Sequence, residues 1–317
     1  AWPIHQGRWQ CHGPSLGSRT RLAVPPAPYD GVFAVLYGGG FFTGRAGTDD
    51  QTIWEPGSRN GLSSLNMTAV TAGYGFMGVT ILVGTDYGLY RSDDWGDNWV
   101  KVDDLGHKRI LCLATQPSAV GAAEYFYAGC FDGSVFVSSD GGVTWADRTG
   151  SLPINPVISL ATDPVTAMVA YVGHEDGSVH RTVDGGVVWT EIFPSDETGE
   201  AAAIAVHPST PSRLYVGFMP IGAGRNGVYR SSNSGGSWIR TGLDAPVTCL
   251  TINPDDPDQL FAGSEGTADG TVVYRTTNNG LTWQAFDSGL LATDTQISIE
   301  SLAFVPGNRE PAGLFAG

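Results

Sequence analysis

Lysine is almost missing from this chain. Only Lys101 and Lys108 accompany 15 arginines among 317 residues, against 32 acidic residues, so the formal charge is −15. A surface that negative excludes nucleic acid and anionic membranes as natural partners; cationic partners, sugars or divalent ions suit it better. Long apolar runs are missing as well. No stretch reaches the roughly 18 residues that a membrane-spanning helix needs, which predicts a soluble chain, and no basic-then-apolar targeting segment opens it. No segment sustains a 3.6-residue period, so long helices are not expected. Cysteine is scarce, at four, and its spacings fit no zinc pattern, so neither metal nor cofactor is expected. Cys112 and Cys249 occupy equivalent places in two repeats and cannot pair. Cys112 with Cys130 is conceivable across adjacent strands but demands tight Cβ geometry, and free buried thiols are the simpler expectation.

Glycine, at 44, and proline, at 19, are plentiful, while 41% of residues remain hydrophobic; that combination describes a turn-dense β protein rather than a disordered one. Seven of the nine tryptophans mark a period: Trp9, Trp54, Trp99, Trp145, Trp189, Trp238 and Trp283 stand 44 to 49 residues apart, and the step round the joined ends is 43. Such a period suits one four-stranded propeller blade or one helical pair. The intervening sequence decides for strands. Apolar runs that end near proline, such as Leu160-Ala161-Thr162-Asp163-Pro164, alternate with runs that end in glycine, such as Tyr171-Val172-Gly173. Both kinds are short, rich in β-branched and aromatic residues, and bounded by turn formers.

The reading is therefore an all-β chain: a single seven-bladed β-propeller over residues 1–317, built of four-stranded antiparallel blades. Strand A is the proline-terminated run, strand B the glycine-terminated run, strand C a segment such as Gly88-Leu89-Tyr90-Arg91-Ser92, and strand D the tryptophan segment. Residues 1–12 are expected to complete the last blade with residues 299–317, which would remove two open sheet edges.

Between strands C and D one motif recurs five times, in the form Ser138-Ser139-Asp140-Gly141-Gly142-Val143-Thr144-Trp145. Its acidic or amide position is Asp94, Asp140, Asp184, Asn233 and Asn278, and its anchor is Trp99, Trp145, Trp189, Trp238 and Trp283. The side-chain oxygen can accept from backbone N–H groups further on, glycine supplies positive φ, and the indole buries a large ring. Two copies carry Asn where a metal ligand or acid would be needed, so the motif reads as structural. It resembles the Asp-box, or BNR, repeat, S-x-D-x-G-x-T-W.

Function belongs on the opposite face, with the B–C and D–A connections. There Asp86, Asp132 and Asp176 are the candidate catalytic carboxylates, and Tyr87, Phe131, His174, Glu175 and Glu265 the candidate ligand-binding residues; Phe41 adds a ring on which a sugar could stack. The insertion from Met219 to Asn226 and the segment from Ser264 to Gly270 are expected to overhang the mouth. Paired carboxylates there would suit a glycoside hydrolase. Gly84-Thr85-Asp86-Tyr87-Gly88-Leu89-Tyr90-Arg91 is similar to a segment of xyloglucanase-type propellers, which implies Asp86 as a catalytic acid, although that family draws its second acid from a second propeller. Sialidases share the boxes but use an Arg-Ile-Pro segment that is absent here. Single-ring relatives, among them propeller-type photosystem II assembly factors and secreted BNR-repeat proteins, are not enzymes. The resemblance thus implies a binding or scaffold propeller, extracytoplasmic or secreted, presenting an acidic loop face to a protein or glycan partner. A glycoside hydrolase acting on a β-glucan is the alternative.

Overall fold

The computed structural model describes residues 2–5, 8–9, 19–46, 52–75, 78–116, 124–195, 197–265, 270–288, 298–307 and 313–317. Apart from one 3-10 turn at Asp103–Leu105, every regular element among them is a β-strand. Blade 1 comprises Thr20–Ala23, Val32–Leu36, Gly40–Ala46 and Thr52–Pro56; blade 2, Met67–Gly75, Gly78–Thr85, Gly88–Ser92 and Val100–Val102. Blade 3 comprises Ile110–Thr115, Phe126–Cys130, Val135–Ser138 and Ala146–Asp147; blade 4, Val157–Thr162, Ala170–His174, Val179–Thr182 and Thr190–Phe193. Blade 5 comprises Gly199–Val206, Leu214–Pro220, Gly227–Ser231 and Ile239–Arg240; blade 6, Cys249–Ile252, Leu260–Gly263, Val273–Thr276 and Gln284–Ala285. In each, strands A to D pair antiparallel in chain order.

The expected count of seven blades is corrected to six self-contained ones. The remaining four strands do not follow one another in the chain: Leu302–Val305 and Gly313–Ala316 pair with Trp2–His5 and Arg8–Trp9 in a composite end sheet, through Trp2↔Ala316 and Pro3↔Phe315. The physical reason is that a periodic tryptophan counts outer strands, not whether a blade is continuous or carries the box that locks it. Strand A of the end sheet contacts strand A of blade 6 on one side and of blade 1 on the other.

The core lies between blades. Leu82 and Leu89 of blade 2 pack on Phe126 and Ala128 of blade 3, and Phe193 of blade 4 on Phe218 of blade 5, all buried. The glycine that closes strand B makes this approach possible. A Cβ on Gly129 would stand 2.6 Å from Val157 Cγ1 and 2.7 Å from Cys112 Sγ, and one on Gly84 2.7 Å from Ile110 Cγ2. The glycine repeat thus marks where the next blade's inner strand comes closest.

The box forms the same turn each time. In blade 3 the Ser138 hydroxyl donates to Asp140 Oδ1 at 2.8 Å and accepts from Gly142 N–H at 2.9 Å, while Thr144 N–H donates to Asp140 Oδ1 at 2.9 Å. In blade 5 Asn233 Oδ1 accepts from Ser237 N–H at 2.9 Å, and in blade 6 Asn278 Oδ1 from Thr282 N–H at 2.9 Å. Asn keeps the acceptor the turn needs, so no charge is required there. The indoles then tie blade to blade. Trp99 donates to the Ser58 carbonyl at 3.2 Å, Trp189 to Arg148 at 2.8 Å, Trp238 to Ile192 at 2.8 Å, and Trp283 to the Thr241 hydroxyl at 3.2 Å; Trp145 donates within its own turn, to Gly142.

A second belt runs inside. Cys112 Sγ donates to the Val157 carbonyl at 3.3 Å and Cys249 Sγ to Ile299 at 3.5 Å; Ser159 Oγ does the same to Ala201 at 2.5 Å, and Thr68 Oγ1 to Ile110. Each bond joins one inner strand to the next, or, at Ile299, to the segment leading into it. Cys112, Cys130 and Cys249 are free thiols, and Cys11 lies outside the described residues.

Candidate binding site at the channel mouth

Strand A carries a local irregularity that aims side chains at the centre. Its pairing with strand B shifts register between Met67 and Ala69, Ile110 and Cys112, Val157 and Ser159, and Ala201 and Ala203. The skipped residues are Thr68, Leu111, Ile158 and Ala202. All four line a cavity of ≈ 370 Å³ at the channel mouth, within the size range of ligand pockets. A bulge leaves one residue unpaired and turns its side chain, which is how a repeating sheet comes to present a non-repeating wall.

Charged side chains complete that wall, the cations Arg19, Arg21 and Arg109 and the carboxylates Glu175, Glu200, Glu265 and Glu300, with Tyr37, Phe131 and Met219 among them. Arg21 Nη1 lies 3.1 Å from Glu300 Oε2. Arg109 Nε lies 3.2 Å from Asp86 Oδ1, and its guanidinium sits 5.2 Å from the centre of the Phe131 ring. Burial, followed by the charges of Glu175 and Glu265, pushes the Glu200 carboxyl above the usual carboxylate range.

Of the residues singled out from sequence, Phe131, Glu175 and Glu265 line the cavity. Asp86 lies just behind it, accepting from the Tyr37 hydroxyl at 2.8 Å and from Asn66 Nδ2 at 3.1 Å besides facing Arg109. Asp132 and Asp176 are hairpin residues instead. Asp132 Oδ1 accepts from Ser134 N–H at 3.1 Å, with Lys108 on its other oxygen, and Asp176 Oδ1 accepts from Ser178 N–H at 2.9 Å. Gly133 and Gly177 follow them at φ of 84° and 83°. Asp-Gly-Ser occurs twice in the sequence, and this hairpin signature was the available signal against a catalytic reading. Tyr87 is 61% exposed and outside the cavity.

His174, expected at the rim, is fully buried. Its Nδ1 faces the Asn155 carbonyl at 3.1 Å, its ring meets that of His180 at 5.2 Å, and burial pushes its pKa down to about 4. Phe41 is likewise buried, edge-on to Trp99 at 5.2 Å. The insertion of blade 5 does not overhang the mouth. It folds back, with the Arg225 guanidinium 4.6 and 4.8 Å from the Phe193 and Phe218 ring centres, and only Met219 reaches the cavity. Most of the segment from Ser264 to Gly270 lies outside the described residues. Sequence reasoning missed Arg19, Arg21, Arg109, Glu200 and Glu300, for which no motif exists. Among the described residues no group of three or more metal-ligating side chains occurs, and no helix is long and apolar enough to cross a membrane.

Compared by sequence, the chain matches no family model and no curated protein, so membership of the Asp-box family is not established by that route. Compared by structure, it is similar to the GH74 xyloglucanase from Xanthomonas campestris, at 19% identity and a TM-score of 0.69, over 89% of this chain and 50% of that one. It is also similar to YCF48 from Cyanidioschyzon merolae, at 15% identity and a TM-score of 0.68, over 94% of both chains, and to YCF48 bound to a D1 peptide, at 15% identity, a TM-score of 0.61, and 92% and 89% coverage. The chain spans about half the length of the xyloglucanase. At these identities the likeness establishes the propeller fold alone.

Proposed function

We propose that this protein is a binding propeller that takes an extended segment of a protein partner into the channel mouth, without chemistry. The observation that carries this reading is the wall of the cavity. Leu111, Ile158 and Ala202 form an apolar arc below a charged rim, an arrangement that buries a side chain while the rim orients the chain bearing it. The carboxylates proposed for catalysis are engaged elsewhere: Asp86 by Arg109, Tyr37 and Asn66, and Asp132 and Asp176 in hairpins. A glycan platform has less support, because Phe41 is buried and Tyr87 does not line the cavity. The whole-length likeness to a propeller bound to a peptide agrees with the reading by analogy of fold.

The test is selection of peptides from a random phage-displayed library on the immobilised protein, repeated on Ile158→Trp, which fills the cavity. Binders that disappear with Ile158→Trp support the proposal; binders indifferent to it, or none, overturn it. One observation favours a hydrolase as second reading: Glu200, held toward its protonated form beside Glu175 and Glu265, has the character of a general acid. Release of reducing ends from a β-glucan, abolished in Glu200→Gln, would establish that reading instead.

A further inference from the structure

Charge around the mouth is sorted by sign. Arg19 and Arg21 come from blade 1 and Arg109 from the turn leading into blade 3, whereas Glu175, Glu200 and Glu265 come from the consecutive blades 4, 5 and 6. Two of the cations already face carboxylates, Arg21 facing Glu300 and Arg109 facing Asp86. Arg19 forms no ion pair among the described residues, and neither does Glu175, Glu200 or Glu265. Glu200 lies between the other two in blade order, and after burial the charges of both Glu175 and Glu265 hold its carboxyl up. The apolar side chains of Leu111 in blade 3 and Ile158 in blade 4 line the same cavity, as do Pro156 and Phe131.

A uniformly acidic segment laid across this mouth meets three unpaired carboxylates, and a uniformly basic one leaves Arg19 facing a like charge. A segment with one charge of each sign relieves both. Resting on the reading of the mouth as a peptide site, we infer that the bound segment is amphoteric: a Lys or Arg side chain seats among Glu175, Glu200 and Glu265, an Asp or Glu side chain meets Arg19, and an apolar residue between them rests on Leu111 and Ile158. The arrangement also sets the direction of the segment, since reversing it would put each charge beside its like. It explains how a chain with 32 acidic residues and 17 basic ones can recognise a partner by charge order instead of by bulk attraction.

The same phage-displayed random peptides test this, with the sequences read from the clones that Ile158→Trp abolishes. Those clones should carry Lys or Arg and Asp or Glu on opposite sides of an apolar residue. The enrichment of Lys and Arg should vanish when selection is repeated on the triple variant Glu175→Gln, Glu200→Gln, Glu265→Gln, and the enrichment of Asp and Glu on Arg19→Gln. A fluorescent peptide made from one such clone should lose about tenfold or more in affinity on either variant, equivalent to about 1.4 kcal/mol. All the substituted side chains are exposed or half-exposed, and unchanged melting curves check that the variants fold. Cavity-dependent clones with no charge pattern, or affinity unchanged in both variants, overturn the charge inference and leave the peptide site standing. The absence of any cavity-dependent clone overturns both.

Discussion

Arg21 reaches across from blade 1 to Glu300, on the approach to the end sheet, with Nη1 3.0 Å from the Glu300 carbonyl and 3.1 Å from its Oε2. The two residues are 279 positions apart in sequence, so this contact helps hold the first blade against the composite sheet. Both side chains are partly exposed, at 32% and 22%, and the ion pair alone is worth about 0.5 kcal/mol after screening. Glu300→Gln should therefore shift the urea midpoint slightly, and less so in high salt. Arg21→Met, which also deserts the carbonyl, should cost about 1 kcal/mol more. Equal effects from the two variants would contradict this division.

Gly129→Ala should destabilise by about 1–3 kcal/mol, because the new methyl falls against Val157 and Cys112 of the facing inner strands. Val157→Ala is costly by itself through the cavity it leaves. Combined, the two should be less destabilising than their sum in a double-mutant cycle. Strict additivity would show that the glycine serves some other purpose.

Asp140→Asn should leave stability within about 0.5 kcal/mol of the parent, since Asn233 and Asn278 make the same turn in blades 5 and 6. Asp140→Ala should cost about 1–2 kcal/mol, because the Val143 and Thr144 N–H groups lose their acceptor. Neither change should alter peptide binding, as no box residue lines the cavity. A binding defect in Asp140→Asn would make the box more than a turn.

Trp189→Ala should cost about 3–5 kcal/mol. The indole is 5% exposed, fills the space between blades 3 and 4, and donates to the Arg148 carbonyl at 2.8 Å. Thermal melting against the parent is the measurement, and a loss under about 1 kcal/mol would mean that the neighbouring blade closes over the gap.

Stability should fall with acid before the carboxylates protonate. His174 titrates at about 4 when folded, because burial opposes its charge, against about 6.5 in the unfolded chain. Well above pH 6.5 both states hold it neutral and its contribution is complete. As pH falls from about 6.5 towards 4 the unfolded chain takes up a proton that the folded chain refuses, so unfolding gains up to about 3 kcal/mol. The groups facing the ring are His180, whose own pKa burial also lowers, the Asp176 carboxylate and the Asn155 carbonyl. His174→Gln should flatten the dependence of the urea midpoint on pH across this window, and an unchanged slope would assign it to other groups.

Much of the architecture was legible because repetition is a one-dimensional signal. Tyr171-Val172-Gly173 and its kin located strand B, and Ser138 to Trp145 and its kin located the C–D turns, because local turn chemistry and strand patterning need no distant partner. The same locality leaves a short polar loop ambiguous between chemistry and a turn: Asp132 and Asp176 read as rim acids, and the structure adds that each accepts from a turn N–H, of Ser134 and Ser178. His174 read as a rim residue because it ends strand B, yet its side chain points inward.

By itself, then, the order of residues determined that the chain is all-β, repeats, and locks its turns with an Asp or Asn and a tryptophan, since those properties arise within one blade. Tertiary structure alone decided how many blades stand complete, the register in which the two ends pair, and that bulges turn Thr68, Leu111, Ile158 and Ala202 into one cavity beneath a rim of opposed charges. Arg21 and Glu300 carry no motif. They become a pair only when the ring brings residues from its two ends within 3.1 Å, a closeness that no local pattern encodes.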